Sequence, residues 1–128
     1  MNANEMTFQI ELSVPLYPSG TESIHVTACE GGINYWAELQ TYDFRGTSTV
    51  TDMEDENASY DITAEVIAKG VQRIVSGEVK ISPSLRLNII REVMEAASGG
   101  ESDGGCGCDA NEADCIVQAG LFGEIVYG

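Results

Sequence analysis

Cys106-Gly107-Cys108, followed by Cys115, lies in a stretch of glycines and carboxylates running from Gly100 to Cys115. Thiolates at close spacing are ligands for zinc or for an iron–sulfur cluster. A set of four can be completed from elsewhere, because His25 and Cys29 share a face if residues 20–30 are helical. His25, Cys29, Cys106 and Cys108 would then form a Cys3His zinc site, with Cys115 as a substitute ligand. The spacing departs from the gaps of about two to four residues usual in structural zinc sites. The competing reading is an acidic, flexible helix-to-helix loop at about 98–108, with Cys115 a small buried thiol beside Ile116 and Val117. The carboxylates also lack the alternation and the terminal bidentate Glu of an EF-hand calcium loop.

Catalytic groups are few. The chain has one His, no Gly-x-Ser-x-Gly elbow, and no glycine-rich phosphate loop followed by Lys. His25 with Cys106 or Cys108 would supply a base and a nucleophile, but nothing local to those residues supports the pair. The many carboxylates offer acid–base pairs without selecting one. The inventory leaves enzymatic activity open and favours a non-enzymatic role.

Charge is the strongest global signal: 21 Asp and Glu against six Lys and Arg give a formal net charge of −15. A negative potential of several kT repels nucleic acid and anionic membrane, and it steers basic protein surfaces toward the molecule. Carboxylates at 52–56 and 101–114 could present charge at a spacing that imitates nucleic-acid phosphates. The plain alternative is that acidity only keeps the chain soluble. Trp36 and Asn34, beside the diglycine at 31–32, form a second candidate surface, since a lone tryptophan can anchor a partner or stack on a ligand. Coverage of Trp36 by a helix is the competing reading, and Tyr35 is expected in the core.

These groups must be positioned by one domain spanning 1–128, of a size that buries a core without disulfides or metal. Apolar residues make up 43% of the chain and are spread along it, which excludes a disordered acidic tail. No run reaches the roughly 18 apolar residues of a membrane span, and Met1–Glu5 lacks the features of a signal peptide, so a cytoplasmic location with reduced cysteines is expected.

Alternation of Phe8, Ile10, Leu12 and Val14 predicts a strand over 6–14. Ser19 and Glu22 have the spacing of a capping box for a helix over 20–30, although alternation of Ile24, Val26 and Ala28 leaves a strand open there. Residues 33–42 read as a strand with Tyr35, Ala37 and Leu39 on one face and Asn34, Trp36, Glu38 and Gln40 on the other. A hairpin partner at 47–51, a charged turn at 52–57 and a short strand at 59–62 follow. Thr63 caps a helix ending at Ser76-Gly77, Ser82 and Pro83 start another ending near Ser98, and Asp109 with Glu112 starts a third that Gly120 interrupts. The fold class expected is α+β, a small antiparallel sheet packed against about three to four helices.

Two segments, Glu30-Gly-Gly-Ile-Asn-Tyr-Trp36 and Asp114-Cys-Ile-Val-Gln-Ala-Gly-Leu-Phe-Gly-Glu-Ile-Val-Tyr-Gly128, resemble segments of small uncharacterised proteins encoded by bacteriophages and prophages. The resemblance includes a similar order of elements between them. It transfers no catalytic residues, and the Gly- and Cys-rich stretch lies outside the shared pattern. It implies a viral accessory protein with a host-takeover or anti-defence role, by analogy of class.

The expectation is therefore an acidic inhibitor of the DNA-mimic or anti-CRISPR kind, acting in the host cytoplasm on a basic host protein or a nucleic-acid-binding complex. Asp52, Glu54, Asp55, Glu56, Glu101, Asp103, Trp36 and Asn34 would make the contact. Direct nucleic-acid and membrane binding are not expected, zinc is the only cofactor considered, and a homodimer is the form self-association would take. The alternatives are a small-ligand or nucleotide-sequestering module built on Trp36 and Asn34, and a zinc-binding structural protein.

Overall fold

A computed structural model describes residues 6, 9, 11, 13–99 and 105–128. Helix α1 (Pro18–Thr27) runs into a π-helical turn (Ala28–Gly32); strands β1 (Ala37–Thr41), β2 (Ser48–Asp52) and β3 (Ser59–Ile62) follow, then helices α2 (Ala64–Val75), α3 (Pro83–Ser98) and α4 (Ala110–Phe122). The sheet is an antiparallel meander in the order β1-β2-β3. With three antiparallel strands and four α-helices, the architecture is α+β, as the sequence leads one to expect.

Much of this follows from local chemistry. The Thr63 hydroxyl accepts the Val66 amide at the start of α2, and the Ser82 hydroxyl accepts the Leu85 amide at the start of α3, where Pro83 needs no amide partner. Asp109 and Glu112 form a full capping box at α4. Helix α1 starts differently from the expectation. Its N-cap is Tyr17 with no side-chain cap, and Pro18 opens the first turn. Proline's fixed φ already suits that position, so Ser19 and Glu22 fall inside the helix.

Helix α4 is the centre of the molecule. Every residue from Glu112 to Gly120 is buried, so the helix has no solvent face. It packs on α2, α1 and the π-helical turn, and its end meets β3. Gly120 does not interrupt it. A Cβ at Gly120 would be driven into the Val66 carbonyl oxygen, and one at Gly70 into the Ile116 carbonyl oxygen. The two glycines let α2 and α4 cross with their backbones nearly touching.

The inner face of the sheet carries Ala37, Ser48, Val50, Asp52 and Ile62, all buried. Its outer face carries Glu38, Thr49, Thr51, Ser59 and Asp61, and pairing sets Glu38 opposite Thr51, Thr51 opposite Ser59, and Thr49 opposite Asp61. This is the half-solvated pattern of an antiparallel sheet.

The strand expected over 6–14 includes residues 7, 8, 10 and 12, which lie outside the described set, and the described positions of that stretch belong to no regular element. The strand expected from 33 begins only at Ala37, because Ile33 to Trp36 form a turn in which the Ile33 carbonyl accepts the amides of Trp36 and Ala37. That turn exchanges the expected sides of residues 35 and 36, with Trp36 buried at 2% exposure and Tyr35 53% exposed, while Ala37 is buried and Glu38 and Gln40 are exposed as expected. Of the flexible loop expected at 98–108, residues 100–104 lie outside the described set, while 105–109 follow an irregular path with Cys106 and Cys108 buried.

Candidate functional site

The residues expected to bind zinc are divided by α1. His25 and Cys29 lie on one face of the helix and its π-helical continuation, as their spacing requires, and both reach the hydroxyl of Ser48 on β2. His25 Nε2 is 2.7 Å from Ser48 Oγ, which also accepts the Asp43 amide, and the Cys29 thiol engages the same oxygen. Burial holds His25 below the usual imidazole range against the opposing pull of Asp43, so the ring is neutral near pH 7. Burial, partly offset by the Ser48 hydrogen bond, pushes the Cys29 thiol up to about 11.

Cys106 and Cys108 meet α1 through Ser23 instead, whose hydroxyl accepts the Cys106 amide at 2.8 Å. Ser23 and His25 are two positions apart, about 200° around a helix, and point to opposite sides. Among the described residues no three His, Cys, Asp or Glu side chains converge to hold a metal ion. The structure thus leaves His25 and Cys29 apart from Cys106 and Cys108 and does not gather the four into one donor set. The same division separates His25 from the thiols that would have been its catalytic partners. Cys115 is buried on α4, and burial pushes its thiol up to about 11.

Asn34 and Trp36 part company as well. Asn34 is exposed and lines a shallow cavity of about 420 Å³ with Cys29, Glu38, Leu39 and Met53, while Trp36 faces inward. Trp36 stacks on Tyr127, with ring centroids 4.9 Å apart and planes 7° from parallel, and its Nε1 donates to Asp114 Oδ1 at 2.8 Å. The other Asp114 oxygen accepts from Tyr35 at 2.6 Å, and Gln118 Nε2 donates to Oδ1 at 2.9 Å. Gln118 Oε1 in turn accepts the amides of Val126 and Tyr127, both at 2.8 Å. The Tyr127 hydroxyl donates to Asp52. Burial of the hydroxyl end and the bond to Asp114 push the Tyr35 phenol up to about 12; the bond to Asp52 leads in pushing Tyr127 to about 12.

Asp114 and Gln118 carry this network, and neither was singled out from the sequence. A signal was present: two polar residues four positions apart in an otherwise apolar run share a helix face, and that face must be buried with partners. Segments 30–36 and 114–128, noted above for their resemblance, are the ones the network joins.

Of the carboxylates expected to contact a partner, Asp52 is turned inward. It accepts the Tyr127 hydroxyl and, at 2.8 Å, the Glu54 amide. Asp55 accepts the Asn57 amide and orders the turn, while Glu54, Asp55 and Glu56 are exposed. Glu101 and Asp103 lie outside the described residues. The structure adds Glu38 and Asp61 on the outer face of the sheet.

Two of the six cations are engaged away from this surface. Arg73 donates to the carbonyls of Ala119 and Gly120 at 2.7 and 3.2 Å, and Arg86 donates to those of Ile74 and Val75 at 3.0 and 2.7 Å. Both guanidiniums thus sit at helix C-termini, where the macrodipole favours positive charge. Among the described residues one ion pair is present, Arg45 with Glu22 at 4.0 Å. The chain matches no family model, no curated protein and no solved structure.

Proposed function

We propose that this protein is an acidic, non-enzymatic accessory inhibitor of the phage anti-defence type. It would occupy the nucleic-acid groove of a basic host or defence protein complex, such as a CRISPR effector. The observation that carries the reading is the asymmetry of charge use: two of six cations are bound to helix-end carbonyls, while Glu38, Glu54, Asp55, Glu56 and Asp61 face solvent along one sheet and its connecting turn. A Lys/Arg groove that binds phosphates through counterion release accepts such a surface on the same terms. Trp36 and Asp52 belong to the scaffold, and the contact set narrows to the exposed carboxylates with Asn34 at its margin.

The immobilised protein is loaded with host lysate and eluted by a salt gradient, with duplex DNA as competitor. Retained proteins should be nucleic-acid binders that leave steeply with salt and are displaced by DNA. Triple replacement Glu54→Lys, Asp55→Lys, Glu56→Lys should weaken retention by about tenfold or more at low ionic strength. Binding indifferent to salt, or unchanged by the triple replacement, refutes the reading.

A further inference from the structure

Two of the four thiols are arranged unlike the others. Cys29 and Cys115 are single buried thiols, whereas Cys106 and Cys108 turn their sulfurs toward each other at 3.1 Å. Both flanks of this tripeptide are anchored. Ser23 Oγ accepts the Cys106 amide and donates to the Cys106 carbonyl at 3.2 Å. Asp109, next to Cys108, is locked to Glu112 by reciprocal bonds of 2.9 and 2.8 Å. Gly107 between them is exposed, and the Glu92 carboxylate of α3 leans over it, so close that a Cβ on Gly107 would come within 2.6 Å of Glu92 Oε2. The anchors hold the sulfurs about 1 Å from the covalent separation of about 2.05 Å. Glu92 and Glu112 place negative charge beside both thiols.

We propose that Cys106 and Cys108 are a thiol–disulfide exchange site that closes to a reversible disulfide, and that its preferred oxidant is a disulfide flanked by positive charge. The Cys106 thiolate attacks one sulfur of R–S–S–R′, forming Cys106–S–S–R and expelling R′–S⁻, which takes up the proton from the Cys108 thiol. The Cys108 sulfur then attacks Cys106 Sγ, closes the ring and expels R–S⁻, which is protonated from solvent. The protein loses two hydrogens with their electrons, and the disulfide becomes two thiols. Either thiol can donate across the 3.1 Å contact; we assign the first attack to Cys106, whose thiolate is favoured when Cys108 is the donor, the same bond then holding Cys108 protonated. Glu92 and Glu112 repel anionic oxidants and attract cationic ones.

The reduced full-length chain, freed of reductant under argon, is exposed separately to cystamine, hydroxyethyl disulfide and oxidised glutathione, then unfolded, alkylated and read by peptide mass. Cystamine should remove the mass of two hydrogens from the peptide holding Cys106 and Cys108 and block its alkylation, leaving Cys29 and Cys115 alkylated. At low salt it should act about tenfold faster than oxidised glutathione, the gap narrowing as salt is added. Cys108→Ser should trap a mixed disulfide on Cys106, and Cys106→Ser should trap far less on Cys108. Full alkylation of both thiols in the wild-type chain, or a stable mixed disulfide without ring closure, overturns the site. Equal rates for the three oxidants overturn the charge preference, and equal trapping by the two variants overturns the order of attack.

Discussion

Trp36 joins stacking, burial and a hydrogen bond in one side chain, and its removal tests them together. Trp36→Ala leaves a cavity beside Tyr127 and Phe122 and deprives Asp114 of a donor, so unfolding in urea should show a loss of about 3–5 kcal/mol. Trp36→Phe keeps a ring in the stack and loses the Nε1 donor; it should cost about 1–3 kcal/mol. Loss of either variant's stability by less than its range would place the network outside the core. His25 offers a second test through pH. Its folded pKa lies below the model-peptide value of 6.5, so the unfolded chain binds more protons as pH falls through 6.5. This contribution to stability is intact above that pH and declines below it. Melting of the wild type relative to His25→Gln should therefore be constant above about pH 7 and fall as pH drops from 6.5 toward the folded pKa. A difference independent of pH would mean that the buried imidazole is not held neutral.

At the scale of elements, the crossing of α2 and α4 depends on two glycines. Gly70→Ala and Gly120→Ala each push a methyl into a carbonyl of the facing helix, and each should cost several kcal/mol or prevent folding. Gly31→Ala meets nothing within 4 Å and should leave thermal unfolding within about 1 kcal/mol of wild type. Equal effects at the three positions would refute the close crossing. Gly120 also shows where sequence reading stops. A glycine late in an apolar run reads as a helix end, and only the neighbour across the crossing reveals it as a contact. The elements with self-contained signals were legible: Thr63, Ser82-Pro83 and Asp109/Glu112 cap their helices by bonds to nearby residues, and the β-branched run at 47–51, the charged turn at 52–57 and the short strand at 59–62 announce β2 and β3. Residues 33–36 were not, because alternation of side chains looks the same in a strand and in a turn whose carbonyl takes two amides. His25 and Cys29 sharing a face was legible from helical spacing; that Cys106 approaches the other side of α1 depends on the long-range bond to Ser23, which no local pattern announces.

For the molecule as a whole, a net charge of −15 opposes compaction. With one ion pair among the described residues, little of that repulsion is relieved internally. Added sodium chloride should raise the melting temperature from low ionic strength to about 0.2 M, where the Debye length falls below about 8 Å. A flat or falling curve would show that the charge is relieved by pairing after all. Under the proposed function, the same salt that stabilises the fold should weaken the binding of a basic partner.

Trp36 is the chain's single tryptophan, so its emission reads one environment. That environment is assembled from residues far apart in the chain: the Tyr35 hydroxyl meets the Tyr127 carbonyl across 92 positions. Contacts of such long range form after local ones, since the intervening loop must close first. Indole fluorescence in this protein should therefore report the docking of Tyr127, Phe122 and Asp114 around Trp36, a long-range event, rather than the formation of any isolated helix.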